Sequence, residues 1–247
     1  MEERDAALEA VFKPVRPTST FEETVERLGS AIRLGLLAPR DKLPPERELA
    51  KQLGISRSTL RQALTALVQS GHLVAMRGRT GGTFVAERPP LAEQAGEPLD
   101  QRAWAVLDYR VAVEAGAALL AAERGDESQF DRLEELVARM ARELEDFEEY
   151  RRIDVRFHIG IAEAAHSPRL LRAMTDVQAQ MSDLISLIPH PLEVLARSNE
   201  QHGRVVKALR KRDGPRAVKQ MREHTEGTEH VLAGLLPAPA RGPSAGA

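Results

Sequence analysis

Residues Pro45–Ala86 read PERELAKQLGISRSTLRQALTALVQSGHLVAMRGRTGGTFVA, and the order of patterns in them decides the fold. Leu49 and Leu53 mark the inward side of a short helix. It starts at Pro45, where a missing N–H costs nothing, and stops at Gly54. Ser56 then stands as an N-cap. Leu60, Leu64 and Leu67 repeat at the spacing of one helix face, as far as about Ser70. Two short apolar runs follow, Leu73–Met76 and Thr83–Ala86, with Gly78, Gly81 and Gly82 between them. Helix, turn, helix and hairpin in this order predict a winged helix-turn-helix, whose second helix would enter a DNA major groove.

On the N-terminal side, Val25, Leu28, Ile32 and Leu36 repeat at three-to-four spacing and predict a helix over Phe21–Leu34. Thr20 with Glu23, or Ser19 with Glu22, would form its capping box. Residues 1–19 show no strong pattern and are expected to be a flexible arm, so the DNA-binding domain is set at 20–86. On the C-terminal side, Pro89, Pro90, Gly96 and Pro98 mark a linker over 87–100. Beyond it the pattern is helical throughout. Helices are expected at Gln101–Arg124, Glu127–Asp146, Glu149–Ala165, Pro168–Leu187, Pro191–Arg212 and Pro215–Leu235. Asp126 and Ser167 serve as caps. The fold class expected is therefore mainly α: an N-terminal winged helix-turn-helix followed by an all-α bundle of six, possibly seven, helices over 101–236. Pro, Ala, Gly and Ser fill 237–247, which is expected to be a disordered tail.

Composition narrows the function. The chain has 247 residues and no cysteine, which excludes a disulfide framework and a thiolate metal site. No apolar run reaches the length of a membrane span and the N-terminus is not a signal peptide, so a cytoplasmic protein without a membrane partner is expected. The net charge of −2 hides an uneven distribution: residues 1–86 hold 13 basic against 10 acidic side chains, which leaves −5 for the rest. Between Leu36 and Arg88, nine basic residues face four acidic ones. Clustering of this kind is the footprint of a nucleic-acid surface.

Arginine near the start of a recognition helix can bond a guanine edge with both arms or clamp a phosphate. Arg57 and Arg61 have that position, Arg47 lies on the preceding helix, and Arg77 and Arg79 lie on the wing. Ser56, Ser58 and Thr59 offer hydroxyls to phosphates. The stretch LPPERELAKQLGISRSTLRQALTALVQSGHLVAMRGRTGGTFV closely resembles the DNA-binding domain of the GntR family of bacterial transcription regulators. The resemblance covers residues 20–86. It implies that Arg47, Arg57 and Arg61 contact DNA, with Thr59 and the wing at Arg77 and Gly78. Two positions depart from the family pattern. Pro45 replaces a capping serine, and Arg40 replaces a glycine after Pro39.

Six of the seven histidines follow residue 150. Asp154, His158, Ile161 and Ala165 fall on one helix face; His202 runs with Val205, Val206 and Leu209; His224 runs with Met221, Thr228 and Val231. A carboxylate and an imidazole one turn apart can share a metal, and two more imidazoles would complete a set. Equally, each can be a hydrogen-bonded core histidine, and spacing alone does not decide between the two.

Residues 101–235 also resemble the FCD-type effector domain of the FadR subfamily. The matching pieces are Arg110-x-x-x-Glu114, Asp154-x-x-Phe157-His158, and Gln201-His202 with Ala208-Leu209, Asp213, Ala217 and Met221-x-x-His224. The resemblance implies that Asp154, His158, His202 and His224 hold a divalent metal, zinc or nickel first, and that Gln201 replaces a glutamate beside it. It implies a small carboxylate effector, with Arg110 either pairing with that carboxylate or held by Glu114. Asn199, one turn before His202, is a further candidate for the ligand cavity. His166, His190 and His230 fall outside the motif.

The expected protein is thus a ligand-responsive transcription regulator and not an enzyme. Repression is the expected sense, and the partners are a homodimer mate and a pseudo-palindromic duplex operator. The alternative is a metal-dependent enzyme fused to a DNA-binding module. No further carboxylate or nucleophile at a convincing spacing accompanies the four ligands.

Overall fold

A computed structural model of the chain describes residues 12, 20–78, 81–90 and 101–235. Among the described residues the elements are α1 (Thr20–Arg33), α2 (Glu46–Leu53), α3 (Arg57–Gln69), β1 (Leu73–Met76) and β2 (Gly82–Val85). The helices α4 (Gln101–Arg124), α5 (Glu127–Met140), α6 (Phe147–Ala164), α7 (Pro168–Ile185), α8 (Leu192–Arg210) and α9 (Gly214–Leu235) follow. They form two compact units. The first holds the described residues up to Pro90, with Leu187–Pro191 and the last turns of α9 from His230. The second holds Gln101–Ser186 and Leu192–Glu229. No helix among the described residues is long and apolar enough to cross a membrane.

In the first unit α1 and α2 both pack on α3. Phe21, Val25, Leu28 and Ile32 line the inner face of α1 and meet Leu49, Leu53, Leu60, Leu64 and Leu67 in one core, closed by Leu73 and Val85 of the hairpin. Each such side chain contributes about 1.5–3 kcal/mol by leaving water. Gly54 ends α2 in a left-handed conformation, φ 68°, and its N–H closes back on Ala50 and Lys51 carbonyls. That sharp stop is what allows α3 to leave at a new angle. The strands pair antiparallel, Leu73 with Val85 through Met76 with Gly82. The loop before α2 adds to them: Leu43 N donates to Thr83 O at 2.9 Å and Val85 N to Asp41 O at 2.9 Å.

Several expectations shift. Pro45 is the residue before α2, at φ −53° and ψ 140°, rather than its first residue, and it makes no side-chain cap. Its carbonyl still accepts the first helical bonds, from Glu48 N and Leu49 N. Thr20 is already helical, so it does not cap α1 from outside. The second strand begins at Gly82 and ends at Val85, one residue early, because Gly82 pairs with Met76. Arg40 keeps the left-handed backbone that suits glycine, φ 70°, and ion-pairs with Glu87.

In the second unit α6 is central, packed against α4, α5 and α7, while α4 also meets α7 and α8 and α5 meets α8. The helix α5 ends at Met140 and not at Asp146. Asp146 instead caps α6, its carboxylate accepting from Glu149 N at 3.0 Å. This bond competes with continuing α5, and the competition breaks the pattern in two. Asp126 and Gln129 form a full capping box on α5, and Ser167 caps α7 with Pro168 in its first turn. Asp213 receives Arg216 N at 3.0 Å ahead of α9. Phe130, Leu133, Ile153, Phe157, Ile161, Met174, Val177, Val205, Leu209 and Met221 fill the core. The expected arm apart from residue 12, residues 91–100 of the linker and the tail lie outside the described residues.

Candidate DNA interface and candidate metal centre

The candidate recognition helix α3 is held at its start by Ser56, whose Oγ accepts from Thr59 N at 3.0 Å. The same oxygen lies 2.7 Å from Ser58 Oγ and 2.8 Å from Thr59 Oγ1. A hydroxyl so engaged serves first to cap α3. Arg47, Arg57, Arg61, Arg77 and Gly78 are all exposed. They differ in their partners. Arg61 Nη2 is held at 2.8 Å by Glu46 Oε2 of α2, an ion pair absent from the sequence-level expectation. Among the described residues no ion pair engages Arg47, Arg57 or Arg77. Gly78 adopts φ 109°, which fits a wing whose backbone turns tightly. Arg79 lies outside the described residues.

In the bundle, α6, α8 and α9 bring His158, His202 and His224 together, with one donor nitrogen of each within 4.8 Å of the others. All three are buried. His202 Nε2 lies 3.3 Å from His224 Nε2 and 3.4 Å from Asp154 Oδ1; His158 Nε2 lies 3.7 Å from that same oxygen. Spacing left open whether these four side chains converge. They do, and it is the Nε2 edges that face one another.

The outer edges are fixed from behind. His158 Nδ1 is 3.0 Å from Glu114 Oε2. His224 Nδ1 is 3.2 Å from Gln201 Oε1. Arg110 Nε donates to Glu114 Oε1 at 2.9 Å, and its Nη2 reaches His224 Nε2 at 3.0 Å. Gln178 Nε2 donates to the same Glu114 oxygen at 2.9 Å. Arg151 ion-pairs with Asp154 Oδ2 and donates to Gln178 O, Gln178 Oε1 and Ser182 Oγ at 3.1, 3.2 and 3.1 Å.

Electrostatics set the protonation. Burial drives His202 down to about 3, only partly offset by Asp154, and drives His224 well below its ordinary value. Both are therefore neutral near pH 7 and keep a lone pair. Burial would raise Glu114, but the charges of Arg110 and His158 outweigh it and hold the carboxyl at about 2. Asp154 is also lowered: burial opposes ionisation, and Arg151 overrides it. Two neutral imidazoles and an ionised carboxylate, with a third imidazole whose Nε2 makes no hydrogen bond, form a donor set that fits a divalent cation of the zinc or nickel type.

Asn199 is not joined to this cluster. Its Nδ2 donates to Val137 O of α5 at 3.0 Å. Arg151 was missed by the sequence reading, although its place three residues before Asp154 was a usable signal. Gln178 carries no such signal, since it arrives from a different helix.

Residues 20–85 match the family described as bacterial regulatory proteins, gntR family, and residues 105–227 match the FCD domain. A Mycobacterium gastri protein assigned as the HTH-type transcriptional regulator RmpR is 33% identical over 229 residues, covering 87% of this chain and 80% of that one. An Escherichia coli protein assigned as the L-lactate dehydrogenase operon regulatory protein is 33% identical over 227 residues, 85% of each chain. Among solved structures, E. coli McbR/YncC aligns at TM-score 0.49 and 22% identity, covering 86% of this chain and 96% of that one.

Proposed function

On the premise that the chain belongs to the GntR family of bacterial regulatory proteins and is a transcription regulator with an FCD effector domain, we propose that a metal-dependent carboxylate site sets its affinity for DNA. The observation that carries this reading is the meeting of three buried imidazoles and Asp154 with a buried arginine, Arg110, aimed at one of the imidazole nitrogens. A metal held by Asp154, His158, His202 and His224 would supply positive charge to attract a small carboxylate. Arg110 supplies a forked donor to orient that carboxylate. Glu114, itself held by Gln178, keeps the guanidinium in place, and Arg151 holds Asp154. Because one relative is assigned to an L-lactate dehydrogenase operon, 2-hydroxycarboxylates are the first effectors to test.

The protein acts as a cytoplasmic homodimer on a pseudo-palindromic operator, as a repressor that the effector releases. Arg47, Arg57, Thr59, Arg61 and the wing make the contacts, and the chain catalyses no reaction. The effector works only through unequal affinity for the DNA-competent and DNA-incompetent states. The test is operator binding by fluorescence anisotropy with L-lactate titrated into metal-loaded and metal-stripped protein. A shift in operator affinity that needs both components is expected. If neither L-lactate nor any other small carboxylate shifts operator binding of the loaded protein, the sensor reading fails.

A further inference from the structure

On the outer side of α8 and α9 a groove of about 260 Å³ is lined by Arg204, Lys207, Arg210, Lys211, Arg216 and Gln220. Five of these six side chains are cationic and none is acidic. Residues 101–235 carry 20 basic and 23 acidic side chains, so the groove runs against the charge of its own domain. Only Arg210 is neutralised, by Glu127, Asp131 and Glu134 of α5. Among the described residues Arg204, Lys207, Lys211 and Arg216 have no ion-pair partner.

The cations sit close together along the chain. Arg204 and Lys207 stand at i and i+3 on α8, where like charges repel, and Lys211 follows in the turn just past its end at Arg210. Arg216 adds a fourth charge from α9. Nearby acids are used elsewhere: Glu223 takes Gln220 Nε2 at 2.8 Å and Lys219. Four uncompensated cations converging on one concavity are what a multiply charged anion needs. Forked guanidinium and point-charge ammonium groups together suit a tetrahedral phosphate better than a single carboxylate.

We propose that this groove binds a small phosphorylated molecule carrying two or more negative charges, as a site separate from the histidine cluster. Arg204 and Arg216 grip the phosphate oxygens, Lys207 and Lys211 supply charge from the α8 side, and Gln220 forms the floor. The volume accommodates a diphosphate or a compact phosphate monoester and not a nucleic-acid helix.

The test is isothermal titration of the full-length, metal-stripped protein with inorganic pyrophosphate at about 0.15 M salt. Saturable binding tighter than ~1 mM is expected. The double substitution Lys207→Gln, Lys211→Gln weakens it by about tenfold or more. Lys219→Gln, an exposed lysine of α9 outside the groove, leaves it unchanged. All three proteins should keep the same far-ultraviolet spectrum and melting point, since the substituted side chains are exposed. Absence of saturation up to ~10 mM overturns the proposal. So does equal affinity in the double variant. So does a loss of unrelated duplex DNA binding in that variant when pyrophosphate does not compete for the same protein.

Discussion

Arg110 and His224 meet at 3.0 Å, guanidinium Nη2 to imidazole Nε2. Arginine has no acceptor and stays charged, so His224 must receive this bond on Nε2 and carry its proton on Nδ1, where Gln201 Oε1 accepts it. The pair thus fixes the tautomer whose Nε2 lone pair faces inward, a lone pair that a metal would take in place of the Arg110 N–H. It also marks Arg110 as the group that lies beside any ligand at His224. Lysine at this position keeps the charge but cannot serve Glu114 and a carboxylate with one planar fork. The variant Arg110→Lys should therefore bind about one equivalent of metal, as the parent should. Its carboxylate response should be weaker by about tenfold or more, the loss of one charge-assisted bond. Metal content by mass spectrometry and effector titration on operator DNA separate the two. An unchanged effector midpoint would show that Arg110 serves only Glu114.

Arg151 holds the other face of the site by engaging Asp154 Oδ2, leaving Oδ1 to the histidines. The Arg151→Gln substitution removes that hold and the main influence that depresses Asp154. Partners of metal ligands are typically worth about 10–100-fold in metal affinity. A loss of that size is expected in chelator competition. The pH at which metal binding is half-lost should also move upward, since the carboxyl then protonates more readily. Unchanged affinity at every pH would leave Arg151 with a packing role alone.

How much of this was legible differs between the two domains. The winged helix was readable almost to the residue because its determinants are local: Gly54 stops one helix, Ser56 starts the next, and glycines turn the wing. The bundle was readable in its helices but not in their convergence, which is tertiary. Asp154 and His158 share one helix and could be paired from spacing, whereas His202, His224 and Gln178 come to them from other helices. The misread join at Met140–Asp146 has the same origin. Apolar spacing carries on through Leu144, but the carboxylate of Asp146 is claimed by Glu149 N.

His72 gives the first unit an acid limit. It is 2% exposed, next to Ser70 Oγ at 2.9 Å, and burial lowers it from 6.5 to about 4. Because the folded value is below the unfolded one, the unfolded chain takes up the proton first as pH falls. Stability from this group is complete above about pH 6.5 and is lost progressively down to about pH 4, to a total of roughly 3 kcal/mol. Urea unfolding followed on α3 amide signals should show this loss in the parent and much less of it in His72→Leu. An identical acid loss in both proteins would remove His72 from the account.

The Arg61–Glu46 ion pair divides the basic face of the reading head. Among the described residues Arg57 has no ion-pair partner, while Arg61 is held by Glu46. Arg57→Ala should cost about 1–3 kcal/mol on the operator if it reads a base edge. Glu46→Gln, which releases Arg61, should raise affinity for unrelated duplex DNA and steepen its salt dependence by up to ~1 in the log–log slope. Anisotropy titrations over a range of salt check both. Full operator affinity in both Arg57→Ala and Arg61→Ala would refute α3 as the reading helix.

The last turns of α9 are part of the first unit's core, and this sets a limit on where the DNA-binding domain can be cut. His230 Nδ1 lies 2.5 Å from Glu26 Oε2, and Val231, Leu232 and Leu235 are buried. The approach is close because both helices present glycine: a methyl group on Gly29 would stand 1.9 Å from Gly234 O, and one on Gly234 would stand 2.6 Å from Glu26 Cα. Neither obstacle is a flexible side-chain end, so no rotamer relieves it. Gly29→Ala, favourable for an isolated helix, should therefore push α9 off α1 and expose those three apolar side chains. A fall in melting temperature of about 5 °C or more is expected, together with faster proteolysis after residue 229. Leu34→Ala, at a position that is 70% exposed, is the control that should change neither. If Gly29→Ala melts with the parent, α1 does not need α9 and residues 20–86 suffice as a folding unit.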